Sequence, residues 1–222
     1  MIFLRDHAPS VAETLIVLLP GAYMTPAHFV DAGFISALRS REKIHRQRAT
    51  DVAIAHLDLA TVSDGSCLHA LRETLILPAR RSAYRYIWLG GISLGGFLSL
   101  SYVEQYPGEI DGLCLLAPYP GNRMTTNEIE AAGGLRAWQA ESNSSHRLKD
   151  PEFRVWQWLK SDPHKLPLFM AYGSQDRFVK GMTLMASAFD REQVKILPGD
   201  HDWPTWRRLW DDFLDTTFLN LI

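Results

Sequence analysis

The chain has 222 residues, 46% of them hydrophobic and 22% charged, with a formal net charge of -2. That length suits one domain, 1–222, or one domain with a modest insertion, and the composition is that of a soluble globular protein. The charge offers no case for nucleic acid or an anionic membrane surface, and no apolar run approaches the ~20 residues that span a bilayer.

The first ten residues carry Arg5, Asp6 and His7 directly after a very short apolar patch, without the longer apolar core of a signal peptide. At most one strand, near Ile2 to Arg5, fits before the first strong signal. That signal is the run Thr14-Leu15-Ile16-Val17-Leu18-Leu19, apolar on both faces as in a central parallel strand, and stopped by Pro20-Gly21. Thr25 and Pro26 open a helix as cap and first residue, with Val30, Phe34, Ala37 and Leu38 as its buried stripe. The basic residues Arg39, Arg41, Lys43, Arg46 and Arg48 read as a solvated helix end, because no aromatic residues are interleaved among them. A second strand spans 52–57. Leu68, Leu71 and Leu75 then give a helical stripe that Pro78 closes.

Tyr86-Ile87-Trp88-Leu89 is a short buried strand, and Leu94, Phe97, Leu98 and Val103 follow at helical spacing. Between them lies Gly91-Ile92-Ser93-Leu94-Gly95, a G-x-S-x-G match at a strand-to-helix junction. A serine there is pushed out on a tight turn, and a Cβ at Gly91 or Gly95 would crowd that turn. A plain glycine-rich turn with Ser93 as a helix cap is the competing reading.

A strand at 112–117 ends in Pro118-Tyr119-Pro120-Gly121. From 122 to 165 the pattern breaks into short pieces around Ser142, Asn143, Ser144 and Ser145, with Trp138, Trp156 and Trp158 among them. This reads as an inserted helical lid. The tryptophans could equally pin a small subdomain to the core. A strand at 166–172 leads to Gly173-Ser174-Gln175-Asp176, and a helix runs on to about residue 189. A last strand at 194–197 leads to Asp200 and His201. The closing helix carries Trp206, Leu209, Trp210, Phe213, Leu214, Thr217, Phe218 and Leu221 at 3, 4 spacing. Strand and helix alternate almost throughout, which predicts a mostly parallel sheet with helices on both faces and ligands beyond the carboxyl ends of its strands.

A serine hydroxyl needs a base to take its proton and an acid to fix that base. His201 follows the last strand and Asp176 the one before it, so the chain order is Ser93, Asp176, His201. Each has a plainer role open to it: Asp176 as a helix cap, His201 as a loop histidine. Asp200 and Asp202 adjoin His201 too closely to turn a carboxylate onto its ring. His7, His28, His45, His56, His69, His146 and His164 show no metal-ligand spacing. An acyl-transfer site also needs oxyanion donors: the Leu94 N–H, and one from the turn after the first central strand, Ala22 or alternatively Tyr23.

Across nearly its whole length the chain resembles a compact member of the α/β-hydrolase superfamily. The resemblance implies a three-layer fold with a short lid at 122–165. It implies Ser93 as nucleophile, Asp176 as acid, His201 as base, and Ala22 with Leu94 as oxyanion donors. Pro20-Gly21 stands where relatives often have His-Gly, and the usual N-terminal hairpin has little room. The function expected is cleavage of a small-molecule carboxylic ester or thioester through an acyl-enzyme. Tyr23, Met24, Tyr119, Trp138 and Trp203 are assigned to the substrate pocket, and no metal or cofactor is expected. An acyltransferase or perhydrolase with the same triad, or a non-catalytic binding protein on this fold, is the alternative. The glycines at 90, 91, 95 and 96 do not make the G-x-G-x-x-G of a dinucleotide enzyme. Cys67, on a helix, and Cys114, in a strand, are expected as buried thiols. With sparse cysteine and no targeting segment, the expected compartment is the cytoplasm, and the oligomeric state stays open.

Overall fold

The structure is a computed structural model and describes residues 1–45, 49–82, 84–139, 147–161 and 166–218. Arg46, Arg48, Ser142, Asn143, Ser144, Ser145, His146, His164 and Leu221 lie outside the described residues, as do the side chains of His45, Thr217 and Phe218. One sheet holds seven strands: β1 (Ile2–Asp6), β2 (Thr14–Leu19), β3 (Thr50–His56), β4 (Tyr86–Ile92), β5 (Gly112–Leu116), β6 (Leu168–Gly173) and β7 (Val194–Leu197). Their order in space is β1-β3-β2-β4-β5-β6-β7. β1 runs antiparallel to β3, and the other pairs are parallel. Every residue of β2, β5 and β6 is buried, which is why these strands read as unbroken apolar runs.

Helices cover both faces. α1 (Pro26–Asp31) and α2 (Phe34–His45) replace the single helix expected from Thr25 onward. Gly33, at φ +80°, ends the first, and the shift in phase leaves Val30 44% exposed while Phe29 takes the buried place. α3 (Leu59–Ser63) and α4 (Ser66–Leu71) follow β3, and Leu68, Leu71 and Leu75 are buried as their spacing predicts. Pro78 does not close this helix. A widened π turn over Arg72–Ile76 leads into α5 (Leu77–Arg80). Pro78 has no N–H and its ring crowds the carbonyl one turn back, which the wider turn relieves.

α6 (Leu94–Gln105) packs on β2, β4 and β5. Between β5 and β6 come α7 (Arg123–Ala131) and α8 (Pro151–Lys160), with α8 against α6. The tryptophans here do structural work. The Trp156 indole N–H donates to the Pro120 carbonyl at 3.0 Å, and Trp138 stands edge-on to Phe153 at 5.6 Å. α9 (Val179–Ala186) follows β6. α10 (Trp203–Asp212) packs on β5 and β6 and against α2, with Trp206, Leu209 and Trp210 buried. Cys67 on α4 and Cys114 in β5 are buried free thiols, and burial pushes Cys67 up to about 11. Among the described residues no helix is long and apolar enough to cross a membrane.

At the end of the sheet where β3 begins, buried Asp51 ties the segment after β1 to the one before β4. Its Oδ1 accepts the Ala8 N–H at 2.8 Å; its Oδ2 accepts from Tyr84 at 2.5 Å and lies 2.8 Å from His7 Nδ1. Burial pushes this carboxyl up, but the donors from Tyr84, Ala8 and His7 outweigh it and hold it below its ordinary value. A lowered folded-state pKa adds stability above the ordinary carboxylate pKa, and that stability disappears as pH falls through the lowered one. Asp51→Asn is therefore expected to lose about 2 kcal/mol in urea titrations at neutral pH. The gap to wild type should shrink at acid pH. An equal gap at both would show that the charge contributes nothing.

Candidate active site

β4 passes directly into α6 through Ser93, whose φ of 53° and ψ of -114° lie in the left-handed half of the map. The backbone is locked there. Its N–H donates to the Leu116 carbonyl at 3.0 Å, while its own carbonyl accepts from Phe97 at 3.1 Å and Tyr119 at 2.9 Å. Beneath the turn the two motif glycines meet the end of β2. A Cβ on Gly91 would stand 2.5 Å from both the Leu19 oxygen and the Gly95 carbonyl carbon. Among the described residues, the non-glycine residues at positive φ are Tyr23, Ser93 and Ala117, each just past the carboxyl end of β2, β4 or β5, which are neighbours in the sheet. Such conformations cost about 1–3 kcal/mol apiece, so strain is concentrated along one rim.

That rim also carries the acid and the imidazole. Asp176 lies three residues past β6, with its side chain fully buried, and His201 lies four past β7. His201 Nδ1 is 2.6 Å from Asp176 Oδ2, and Nε2 is 3.0 Å from Ser93 Oγ. An ionised carboxylate only accepts, so Nδ1 bears the proton and Nε2 is left to accept from the serine. Asp176 does not cap α9, whose cap residue is Phe178; its other oxygen accepts the Phe178 N–H at 2.8 Å in the turn ahead of that helix. The carboxylate is thereby held from both sides. Asp200 accepts the N–H of His201 itself at 2.8 Å, and Asp202 caps α10 through Thr205, so neither serves the ring. The imidazole stands between two aromatic rings, Phe178 at 5.2 Å and Trp206 at 5.0 Å, both nearly perpendicular to it. Neither ring was foreseen at this place. Both follow a predicted site residue within five positions, the only trace the sequence carries of them.

The turn after β2 closes with the Met24 N–H on the Gly21 carbonyl at 3.1 Å, and Tyr23 occupies its left-handed corner. The N–H groups of Ala22 and Leu94 have no hydrogen-bond partner among the described residues. The Tyr23 side chain is 88% exposed, and Met24 turns its sulfur back to accept the Gly21 N–H at 3.3 Å. Tyr119 lines a cavity of about 350 Å³ that also touches Leu94 and Phe97. Burial, helped by the charge of Glu152, pushes its phenol up.

Of the five residues assigned to the substrate pocket, Tyr119 lines this cavity, and Tyr23, Met24, Trp138 and Trp203 do not. Trp138 is 3% exposed and belongs to the packing of the β5–β6 insertion against Phe153, and does not line this cavity. Trp203 also stands outside it, stacked edge-on against Phe29, Phe34 and Trp206 behind the His201 loop. Both are large apolar surfaces that the core claims first. Among the described residues no group of three or more His, Cys, Asp or Glu side chains could hold a metal ion.

No protein-family model matches the sequence, and no curated protein matches it. Solved structures do. The S-formylglutathione hydrolase of Staphylococcus aureus superposes with a TM-score of 0.60 at 14% identity, over 94% of this chain and 81% of that one. Fluorophosphonate-binding serine hydrolase F of the same organism gives 0.62 at 14% identity, over 96% of each chain. An α/β-hydrolase from the metagenome of lagoon sediments at Mar Chica, Morocco, gives 0.55 at 19% identity, over 90% of this chain and 85% of that one. Likeness at these identities is a likeness of fold: the chain has the three-layer α/β-hydrolase fold expected from its strand and helix order.

Proposed function

We propose that this chain, built on the α/β-hydrolase fold, is a serine hydrolase that cleaves a small-molecule carboxylic ester or thioester through an acyl-enzyme. The observation that carries the reading is the unbroken path from Ser93 Oγ through the His201 ring to Asp176, assembled from three separate strand ends. In the first half-reaction Ser93 Oγ attacks the acyl carbon while His201 Nε2 takes its proton. The developing oxyanion is received by the N–H groups of Leu94 and Ala22, with Tyr23 as the alternative to Ala22; one such donor is worth about 3 kcal/mol of barrier. The proton then passes to the departing alkoxide or thiolate, and water reverses the sequence to free the acid. Two of the similar structures are S-formylglutathione hydrolases, which supports keeping thioesters beside esters.

The helices between β5 and β6 act as a lid over 122–165, within a single domain of 1–222. The buried free thiols suit a reducing compartment, and we place the protein in the cytoplasm. A fluorophosphonate probe is expected to label the wild type at Ser93 and to leave Ser93→Ala unlabelled. Folded wild-type protein that takes up no label, and cleaves no ester or thioester across an acyl-length series, would remove the reading.

A further inference from the structure

The cavity beside Ser93 has two unlike walls. It is bounded by Leu94 and Tyr119 near the serine and lies between α6, the Asn122 loop, the start of α8 and the turn between α3 and α4. Val62, Leu68, Leu94, Phe97 and Leu98 make one wall apolar. The other is organised around the half-buried carboxyl of Glu152. Its Oε2 accepts the backbone N–H of Asn122 at 2.7 Å and also the Asn122 side-chain amide. Its Oε1 has no hydrogen-bond partner among the described residues.

The place is built for that carboxyl. Gly121, at φ +87°, lies so close that a Cβ on it would stand 3.1 Å from Glu152 Oε2. Asp150, on the same wall, is occupied in capping α8 through the Glu152 N–H at 2.9 Å. Arg154, the cation lining the cavity, is held by Glu104 at 3.1 Å. The polar wall thus presents a free acceptor and an excess of negative charge. Burial, with Asp150 adding to it, pushes the Glu152 carboxyl up. The group therefore gains from a donor brought to its open oxygen.

We propose that this cavity receives the acyl chain of the substrate and that Glu152 selects chains ending in a hydrogen-bond donor, a hydroxyl or an ammonium, over chains ending in a carboxylate. The proposal rests on the acyl-enzyme reading above. An acyl carbon bonded to Ser93 Oγ and facing the Leu94 N–H would lie next to Leu94, which lines this cavity. From there a chain of medium length passes along the apolar wall, and a volume of this size is at the lower end of small-molecule sites.

The test uses p-nitrophenyl octanoates with a terminal methyl, hydroxyl, ammonium or carboxylate group, on wild type and Glu152→Gln. In the variant the amide oxygen keeps the Asn122 donors, and an NH₂ replaces the free acceptor. The ratio of kcat/KM for the ammonium-ended ester to that for the carboxylate-ended ester is expected to fall about tenfold or more. A general defect would lower both esters together; an unchanged or raised ratio overturns the proposal. Should the variant not fold, wild type decides. Octylammonium must inhibit acetyl-ester hydrolysis more strongly than octanoate, and equal or reversed inhibition overturns the proposal. Acetyl-ester turnover by wild type and its loss in Ser93→Ala report separately on the acyl-enzyme reading.

Discussion

Ser93→Ala is expected to lower kcat for ester cleavage by about 10⁴-fold or more, and His201→Ala to do nearly the same. The side chains act as one device. In the proposed reaction Oγ gives its proton to His201 Nε2, 3.0 Å away, and without either partner no acyl-enzyme would form. The effects should therefore not add: the double variant Ser93→Ala/His201→Ala is expected to be no slower than the slower single one. Asp176→Asn belongs in the same range, because an amide can present N–H where Nδ1 requires an acceptor and so turn the ring to the wrong tautomer. Folding should survive Ser93→Ala, since the turn is held by the backbone N–H and carbonyl of residue 93 and not by its hydroxyl. Steady-state rates on an activated ester beside a urea titration separate the two effects. A stable Ser93→Ala protein retaining about a tenth of the wild-type rate would place the chemistry elsewhere.

What could be read before any coordinates follows a physical rule. β2, β4, β5 and β6 are buried on both faces, so their sequences are unbroken apolar runs whose ends are visible in Pro20-Gly21, Pro118 and Gly173. Those ends place Ser93, one residue past β4, and Asp176, three past β6; His201 follows the short β7, which is half-buried or exposed and is marked by Pro198-Gly199. The features that could not be read depend on contacts between distant segments. Nothing local distinguishes Trp138, absorbed into the insertion, from Tyr119, which lines the cavity; both are aromatics in irregular chain. The cavity itself is assembled from residues near 62–68, 94–105, 119–122 and 150–154, and no periodicity links those four stretches. Glu152 reads in sequence as an acidic residue in the first turn of a helix, which it also is. Gly33 breaks a helix whose apolar spacing reads as continuous, and Pro78, which reads as a helix end, is absorbed by a widened turn.

Gly95→Ala is expected to be the most damaging single-methyl change in the chain, and helix propensity predicts the opposite. Gly95 lies in the first turn of α6, where replacing glycine by alanine ordinarily stabilises a helix by about 1 kcal/mol. Here the added Cβ would stand 2.5 Å from the carbonyl carbon of Leu19 and 2.8 Å from the carbonyl oxygen of Pro20, both backbone atoms. No flexible side chain can give way. Either the end of β2 moves, or α6 does, and each carries half of the proposed site: the Ala22 turn on one, Ser93 and Leu94 on the other. Overpacking in a close-packed interior costs about 1–3 kcal/mol where side chains can shift, and a clash with a buried strand end should exceed that. The expected result is a protein destabilised by about 4 kcal/mol or more, or one that fails to accumulate in folded form. Gly108→Ala provides the contrast. Unlike Gly95 it sits at a positive φ, +80°, but it has nothing within 4 Å of the new Cβ, so its loss should stay near the 1–2 kcal/mol of a left-handed alanine. Urea midpoints for the two variants decide the point. If Gly95→Ala matches or exceeds wild type, the close approach of α6 to β2 beneath Ser93 is wrong, and with it the rigidity on which the serine's position depends.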